Sequence, residues 1–166
     1  MHHATLGLGG NVRDPVHAMG EALRRIDARA DCTVAAVSRL YRTLPWGRTD
    51  QPDFLNACAA VRTSLTPEAL LLACLDIERT MKRVRAERWG PRTIDIDLLT
   101  YDDLDMKSET LELPHPRMRE RGFVLMPLAD FAGDITVGGR RVRDWLADCD
   151  TSGITVAGNA DWWQIA

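Results

Sequence analysis

The chain has 166 residues, 45% of them hydrophobic and 27% charged, with a formal net charge of −3. That length and balance suit one globular domain over residues 1–166, with enough chain to bury a core. The mild acidity excludes a general affinity for nucleic acid or anionic membrane, and no apolar run approaches the ~20 residues of a membrane span.

The N-terminal MHHATLGLGGN has neither a basic region nor a long apolar stretch, so it does not read as a signal peptide. His2 and His3 read as an ordinary strand entrance rather than a metal site. Thr5 to Gly9 is the first expected strand, with Leu6 and Leu8 on one side, and Gly9-Gly10-Asn11 is a turn. Asp14-Pro15 reads as N-cap and first helical position, and Val16, Met19, Leu23 and Ile26 recur at helical spacing up to about Arg29. Val34 to Thr43 is β-branched and extended, a second strand. The loop LPWGRTDQPD follows, then a third strand from Phe54 to Thr63, with Leu55, Ala57, Ala59 and Val61 on one face and Phe54 and Asn56 on the other. Thr66-Pro67-Glu68 opens a second helix, and Ile94 to Tyr101 is the fourth strand. The order β-α-β-β-α-β is the ferredoxin-like α+β arrangement, here with a C-terminal extension. The extension holds the Pro-rich LPHPRMRERGF, an apolar helix over Val124 to Ala129, a small hairpin at Val137-Gly138-Gly139-Arg140 and a short helix from Arg143 to Cys149. The closing DWWQIA has no evident place, and its two tryptophans read as packing anchors. Cys32, Cys58, Cys74 and Cys149 show no CxxC or zinc spacing and read as reduced thiols, which favours the cytoplasm.

The segment RWGPRTIDIDLLTYDD concentrates the chemistry. In a strand, Ile94, Ile96 and Leu98 point one way and Asp95 and Asp97 the other, with the aspartate Cα atoms roughly 6.6 Å apart. Two like charges so close raise one pKa unless a cation sits between them. Mg²⁺ accepts one or two carboxylates and completes its shell with water and phosphate oxygens. The plainer reading is a solvated strand face, weakened because Asp is depleted in strands. Leu71, Leu75 and Glu78 share a helical stripe, so Glu78 should have a polar partner. Arg79, Lys82, Arg83, Arg85, Arg88 and Arg92 follow, either a solvated basic loop or a polyphosphate-binding cluster beside the aspartates. Arg117, Arg119 and Arg121 form a second cluster after His115, which stands between two prolines. There is no GxxxxGK[ST] loop and no GxSxG elbow, and Gly7-x-Gly9 fails the spacing of a dinucleotide fingerprint.

Taken together, LGLGGN, YRTLPWGRTDQPDFLNACA, ERWGPRTIDIDLL and LPHPRMRERGFVLMPLA resemble the 6-hydroxymethyl-7,8-dihydropterin pyrophosphokinase family of folate biosynthesis, from about Thr5 to about Leu146. The resemblance implies a ferredoxin-like α+β fold, transfer of the β,γ-pyrophosphoryl group of ATP to the pterin hydroxymethyl oxygen with release of AMP, and two Mg²⁺ ions held by Asp95 and Asp97. It implies ATP contacts from Glu78, Arg83, Arg85, Trp89, Arg92, His115 and Arg121, with Arg83 and Arg85 on a loop that closes over the nucleotide. Arg83, Arg85, Arg92 and Asp97 would be catalytic. Phe54 and Phe123 would sandwich the pterin ring, Asn56 would bond its edge, and Thr43, Leu44 and Trp46 would offer mainly backbone contacts. The family is usually monomeric, which is the expectation here.

The sequence departs from the family at several points. Thr110 and Glu112 stand where some members carry Arg and Thr, the stretch from Glu78 to Trp89 is one residue shorter than in some members, Lys82 replaces a common glycine, and GGN replaces the frequent GSN. Two other readings of the same residues stay open: a nucleotidyl- or phosphotransferase using the aspartate pair, and a non-catalytic pterin- or nucleotide-binding module.

Overall fold

The computed structural model describes residues 1–11, 14–44, 53–89 and 94–164, with residues 83–89 described by their backbone alone. Strand β1 (His2–Gly10) leads into helix α1 (Pro15–Asp27). Asp14 caps that helix, its Oδ1 accepting from the His17 N–H at 3.2 Å, with proline in the first turn where a missing N–H costs nothing. Strands β2 (Cys32–Val37), β3 (Leu40–Thr43) and β4 (Phe54–Thr63) follow, then helix α2 (Pro67–Trp89) and strand β5 (Ile94–Tyr101). Thr66 caps α2, its Oγ1 accepting from the Ala69 N–H at 3.2 Å.

The sheet runs β5-β1-β4-β3, with β2 on the same edge of β4 as β3, and all these pairings are antiparallel. Counting β2 and β3 as one interrupted strand, this is the ferredoxin-like order that the sequence pattern implies. The interruption corrects the single strand expected over Val34 to Thr43. At the break, Ser38 N–H donates to the Cys58 carbonyl and Cys58 N–H donates to Ser38 Oγ, both at 2.9 Å. A side-chain hydroxyl thus fills a place in the ladder that a backbone carbonyl would hold. The helix α2 brings a second correction. The stretch from Glu78 to Trp89, read as a basic loop, is helical by its backbone. Arg, Lys, Met, Ala and Glu are all good helix formers, and the charge run hid that propensity.

After a short ribbon of β6 (Met106–Lys107) and β7 (Glu112–Leu113) come α3 (Gly122–Ala132), the expected hairpin of β8 (Thr136–Val137) and β9 (Arg140–Arg141), and α4 (Val142–Ala147). A strand absent from the sequence reading, β10 (Ile154–Gly158), then pairs with β3 and extends the sheet edge. The core lies on both sides of the sheet. Leu6, Leu8, Ile94, Ile96 and Leu98 face α1 and α2, packing on Met19, Leu23, Leu70 and Ile77. Cys58 and Leu99 face the other way, onto Val124, Leu125 and Leu128 of α3. The tryptophan tail is a packing anchor, as its composition suggests. Trp162 is 5% exposed and donates its indole N–H to the Ser38 carbonyl at 3.0 Å, while Trp163 offers its carbonyl to Arg24 at 2.6 Å.

Ser38 is therefore a node. It is 0% exposed, and its hydroxyl also donates to the Arg39 carbonyl at 2.7 Å. Ser38→Ala leaves a buried N–H unpaired, and urea unfolding should show a loss of roughly 1–3 kcal/mol. A loss too small to measure would mean that the break is held by other contacts.

Candidate active site

The alternation in β5 works as its residues dictate. Ile94, Ile96 and Leu98 are buried in the α1/α2 core, and Asp95 and Asp97 emerge on the opposite face. Glu78 has the partner that its stripe position calls for: its Oε1 accepts from the Ile96 N–H at 2.6 Å. That bond ties α2 to the backbone between the two aspartates. Burial raises the Glu78 carboxyl, the Ile96 N–H lowers it in part, and the Asp95 charge raises it again. Burial likewise raises Asp97, with His115 and Arg121 pulling it down and Asp95 pushing it up. His115 is lowered chiefly by burial and also by Arg121 and Arg117, against the pull of Asp97. Its Nδ1 accepts from the Arg117 N–H at 3.2 Å, so the ring direction is fixed. The result is a partly buried acidic centre with cations at its margin.

Two clefts meet at this centre. The first, about 410 Å³, is lined by Thr43, Leu44, Phe54, Asn56, Phe123 and Arg121 among others. The second, about 470 Å³, is lined by Leu71, Leu75, Glu78, Thr110, Leu111 and His115 among others. Asp95 and Asp97 are the residues common to both. The first cleft has exposed apolar surfaces in place: Phe54 is 40% and Leu44 57% exposed. The Arg121 guanidinium lies 5.6 Å from the Phe123 ring centroid, within cation–π range. Thr43 Oγ1 donates to Asn56 Oδ1 at 3.5 Å. A lining that holds two phenyl rings and an amide suits a flat heterocycle.

The register explains why the first cleft is open. Gly9 pairs with Asp95 on one side and Asn56 on the other, and Gly7 pairs with Asp97 and Cys58. Two glycines therefore separate the carboxylates from the β4 side chains. A Cβ at Gly9 would lie 2.8 Å from the Asn56 amide nitrogen and would push it aside. Sequence reasoning passed over Gly7 and Gly9 because their spacing fits no phosphate-binding fingerprint. Their role appears only once the strands are in register. The apolar lining of the second cleft by Leu71, Leu75 and Leu111 was also unforeseen, although Leu71 and Leu75 stood on the stripe that drew attention to Glu78.

Of the residues singled out from sequence, Asp95 and Asp97 stand together at the junction. Thr43, Leu44, Phe54, Asn56 and Phe123 gather in the first cleft, and Glu78 and His115 in the second. Arg121, expected on the nucleotide side, lines the first cleft instead. Trp46 and Arg92 lie outside the described residues, as do the side chains of Arg83, Arg85 and Trp89.

Comparison with known proteins identifies the family. Residues 5–133 match the family model of 7,8-dihydro-6-hydroxymethylpterin-pyrophosphokinase (HPPK). A 2-amino-4-hydroxy-6-hydroxymethyldihydropteridine pyrophosphokinase of Methylorubrum extorquens is 50% identical over 154 residues, covering 93% of this chain and 98% of that one. The enzyme of the same name from Pseudomonas aeruginosa is 41% identical over 150 residues, covering 90% of this chain and 93% of that one. Among solved structures, Plasmodium falciparum HPPK-DHPS superposes with a TM-score of 0.70 at 17% identity, a likeness of fold. It covers 89% of this chain, which spans 43% of that longer one. With most of its length matched by the family model and by these relatives, the chain belongs to the 7,8-dihydro-6-hydroxymethylpterin-pyrophosphokinase family.

Proposed function

We propose that the two clefts divide the work of a pyrophosphokinase, the pterin taking the first and ATP the second. As a member of this family the chain pyrophosphorylates 6-hydroxymethyl-7,8-dihydropterin, with ATP as co-substrate, in folate biosynthesis. The observation that carries the division is that Asp95 and Asp97 line both clefts. A group passing between two substrates must cross their common boundary, and here that boundary is a pair of carboxylates.

The donor set suits Mg²⁺, the cation general to the family. Asp95 and Asp97 offer hard oxygen donors, and burial of Asp97 beside Asp95 creates a demand for positive charge. Among the described residues no group of three or more His, Cys, Asp or Glu side chains is arranged to hold a metal. Two carboxylates with the remaining positions left to phosphate and water is the usual Mg²⁺ pattern. We assign both ions of the family's pair to Asp95 and Asp97. When bound, Mg²⁺ neutralises phosphate charge and acidifies the attacking hydroxyl.

The protein's own residues do the rest. Phe54 and Phe123 stack on the pterin, Asn56 reads its edge, and Thr43, Leu44 and Trp46 complete the wall. These contacts aim the hydroxymethyl oxygen at the junction. Glu78, Trp89 and His115 hold ATP, Arg121 reaches its phosphates from the wall of the first cleft, and Arg83, Arg85 and Arg92 stabilise charge on the moving phosphates. Asp97, at the junction of the clefts, assists by accepting the hydroxyl proton as the oxygen bonds to the β-phosphorus. The bond from the β-phosphorus to the α,β-bridging oxygen breaks, and AMP leaves. Closure of the Arg83–Arg85 segment over ATP excludes water from the phosphoryl group. We further propose that residues 1–166 act as one domain, as a monomer, in the cytoplasm. Cys32, Cys58, Cys74 and Cys149 are all free thiols, which supports a reducing compartment. Among the described residues no helix is long and apolar enough to cross a membrane.

Nucleotide products test the reading. With ATP, Mg²⁺ and 6-hydroxymethyl-7,8-dihydropterin the protein should release AMP, and only when the pterin is present. Asp95→Ala should lower kcat/KM by roughly 100-fold or more. ADP, or pyrophosphate freed without transfer, would instead indicate a different phosphotransferase, and tight pterin binding without turnover a binding module.

A stability measurement tests the metal assignment apart from turnover. The Asp97 carboxyl is raised in the fold, so its protonated form is favoured there. Its contribution to stability is complete below the ordinary aspartate pKa and is lost as pH climbs through the raised value. At pH 7 without divalent cation, Asp97→Asn should therefore melt higher than the parent, by roughly 2 °C. Mg²⁺ with a non-hydrolysable ATP analogue should raise the melting temperature of the parent far more than that of the variant. Equal gains in both proteins would remove Asp97 from the metal site.

A further inference from the structure

The carboxylate of Asp130, on α3, gathers more hydrogen bonds than any surface ion pair requires. Its Oδ1 accepts from the Tyr41 phenol at 2.7 Å and from Arg39 Nη2 at 3.1 Å. Its Oδ2 accepts from Arg39 Nε at 3.2 Å and from the Arg39 backbone N–H at 3.0 Å. Arg39 Nη2 also donates to the Tyr41 oxygen at 2.8 Å. Arg39 follows the break at Ser38, so the interruption between β2 and β3 is what turns its N–H toward the helix. Among the described residues, every side-chain hydrogen bond between α3 and the Arg39–Thr43 edge runs through Asp130.

The two ends of this link are the two walls of the first cleft. Asp130 stands two helical turns beyond Phe123 on the same face of α3. Tyr41 is 1% exposed and is the direct strand partner of Asn56, which is in turn paired with Gly9 and, across it, Asp95. One row across the sheet thus runs Asp95, Gly9, Asn56, Tyr41, and ends on the Asp130 carboxylate. Thr43, the next residue along β3 on that face, donates to Asn56. Burial, with the Asp130 charge adding to it, pushes the Tyr41 phenol up to about 12, so it remains a donor at neutral pH. Burial alone would raise the Asp130 carboxyl. The bonds from Arg39 and Tyr41 outweigh it and hold the group below the ordinary aspartate range.

We propose that Asp130 is a positioning residue for the acceptor: by fixing α3 to Tyr41 and Arg39, it sets Phe123 against Asn56 and Thr43 at the spacing a flat heterocycle needs. It touches neither substrate and lies away from the nucleotide cleft. Its loss widens or tilts the slot and leaves the phosphoryl-transfer centre unchanged. The inference rests on the reading that the first cleft takes the pterin.

Steady-state kinetics of Asp130→Asn and Tyr41→Phe test it, with Asn56→Ala as the control for the cleft itself and all assays well below each melting temperature. Both clamp variants should raise KM for 6-hydroxymethyl-7,8-dihydropterin roughly five- to tenfold, with kcat and KM for ATP within about twofold of the parent. A purely structural clamp would lower the melting temperature and leave pterin KM alone. If Asn56→Ala raises pterin KM and the clamp variants do not, Asp130 has no positioning role. If Asn56→Ala also leaves it unchanged, the assignment of the cleft itself is wrong. A matching fall in kcat or rise in ATP KM overturns the inference too. Should Asp130→Asn fail to fold, Tyr41→Phe decides alone, because it removes the phenol link and keeps the Arg39–Asp130 pair.

Discussion

The architecture turns on the period of two in β5. One strand must satisfy opposite demands, burying isoleucine and leucine against α1 and α2 while presenting Asp95 and Asp97 to the two clefts. A slip of one residue would bury both carboxylates and expose the isoleucines, so the hydrophobic core itself holds the carboxylate face in register. The bond from the Ile96 N–H to Glu78 adds a second restraint at the same point. It couples the end of the α2 stripe to the backbone between the aspartates. Core packing and the placement of the aspartate pair are consequently one constraint rather than two.

From that strand the site spreads by register. β1 contributes absence: Gly7 and Gly9 leave room between the carboxylates and β4. β4 contributes Phe54 and Asn56, and β3 contributes Thr43. The break at Ser38 lets the sheet edge turn, and Trp162 from the C-terminal tail closes over its carbonyl. The extension therefore helps to build the sheet edge beside the first cleft. β10 lengthens the sheet beside β3, and the Leu44 N–H donates to the Gly153 carbonyl at 3.3 Å, so the C-terminal segment supports the rim of the first cleft.

Much of this was legible in the residues. Strong local signals marked β4, β5, both Asx- or Thr-capped helices and the Gly-Gly hairpin, since each rests on a short-range rule. The aspartate pair and Phe54 with Asn56 could be read because alternation assigns faces without knowledge of neighbours. What escaped depends on contacts between distant segments. The Ser38 break lies in a stretch whose composition reads as continuous strand. β10 is short and finds its partner only through β3. The glycines of β1 matter for what they leave empty, and Asp130 acquires its meaning from Tyr41 on another element. The cationic run after Glu78 misled in another way: its charge suggested a loop, while its propensity is helical.

On the proposed division of labour, donor and acceptor occupy separate clefts that meet at Asp95 and Asp97. A crystal structure with a non-hydrolysable ATP analogue, Mg²⁺ and 6-hydroxymethylpterin tests it most directly. The pterin ring should lie between Phe54 and Phe123, the nucleotide base in the cleft of Leu71, Leu75 and Leu111, and the metal-bound triphosphate across the two aspartates. Both ligands in one cleft, or aspartates without metal in the ternary complex, would contradict it.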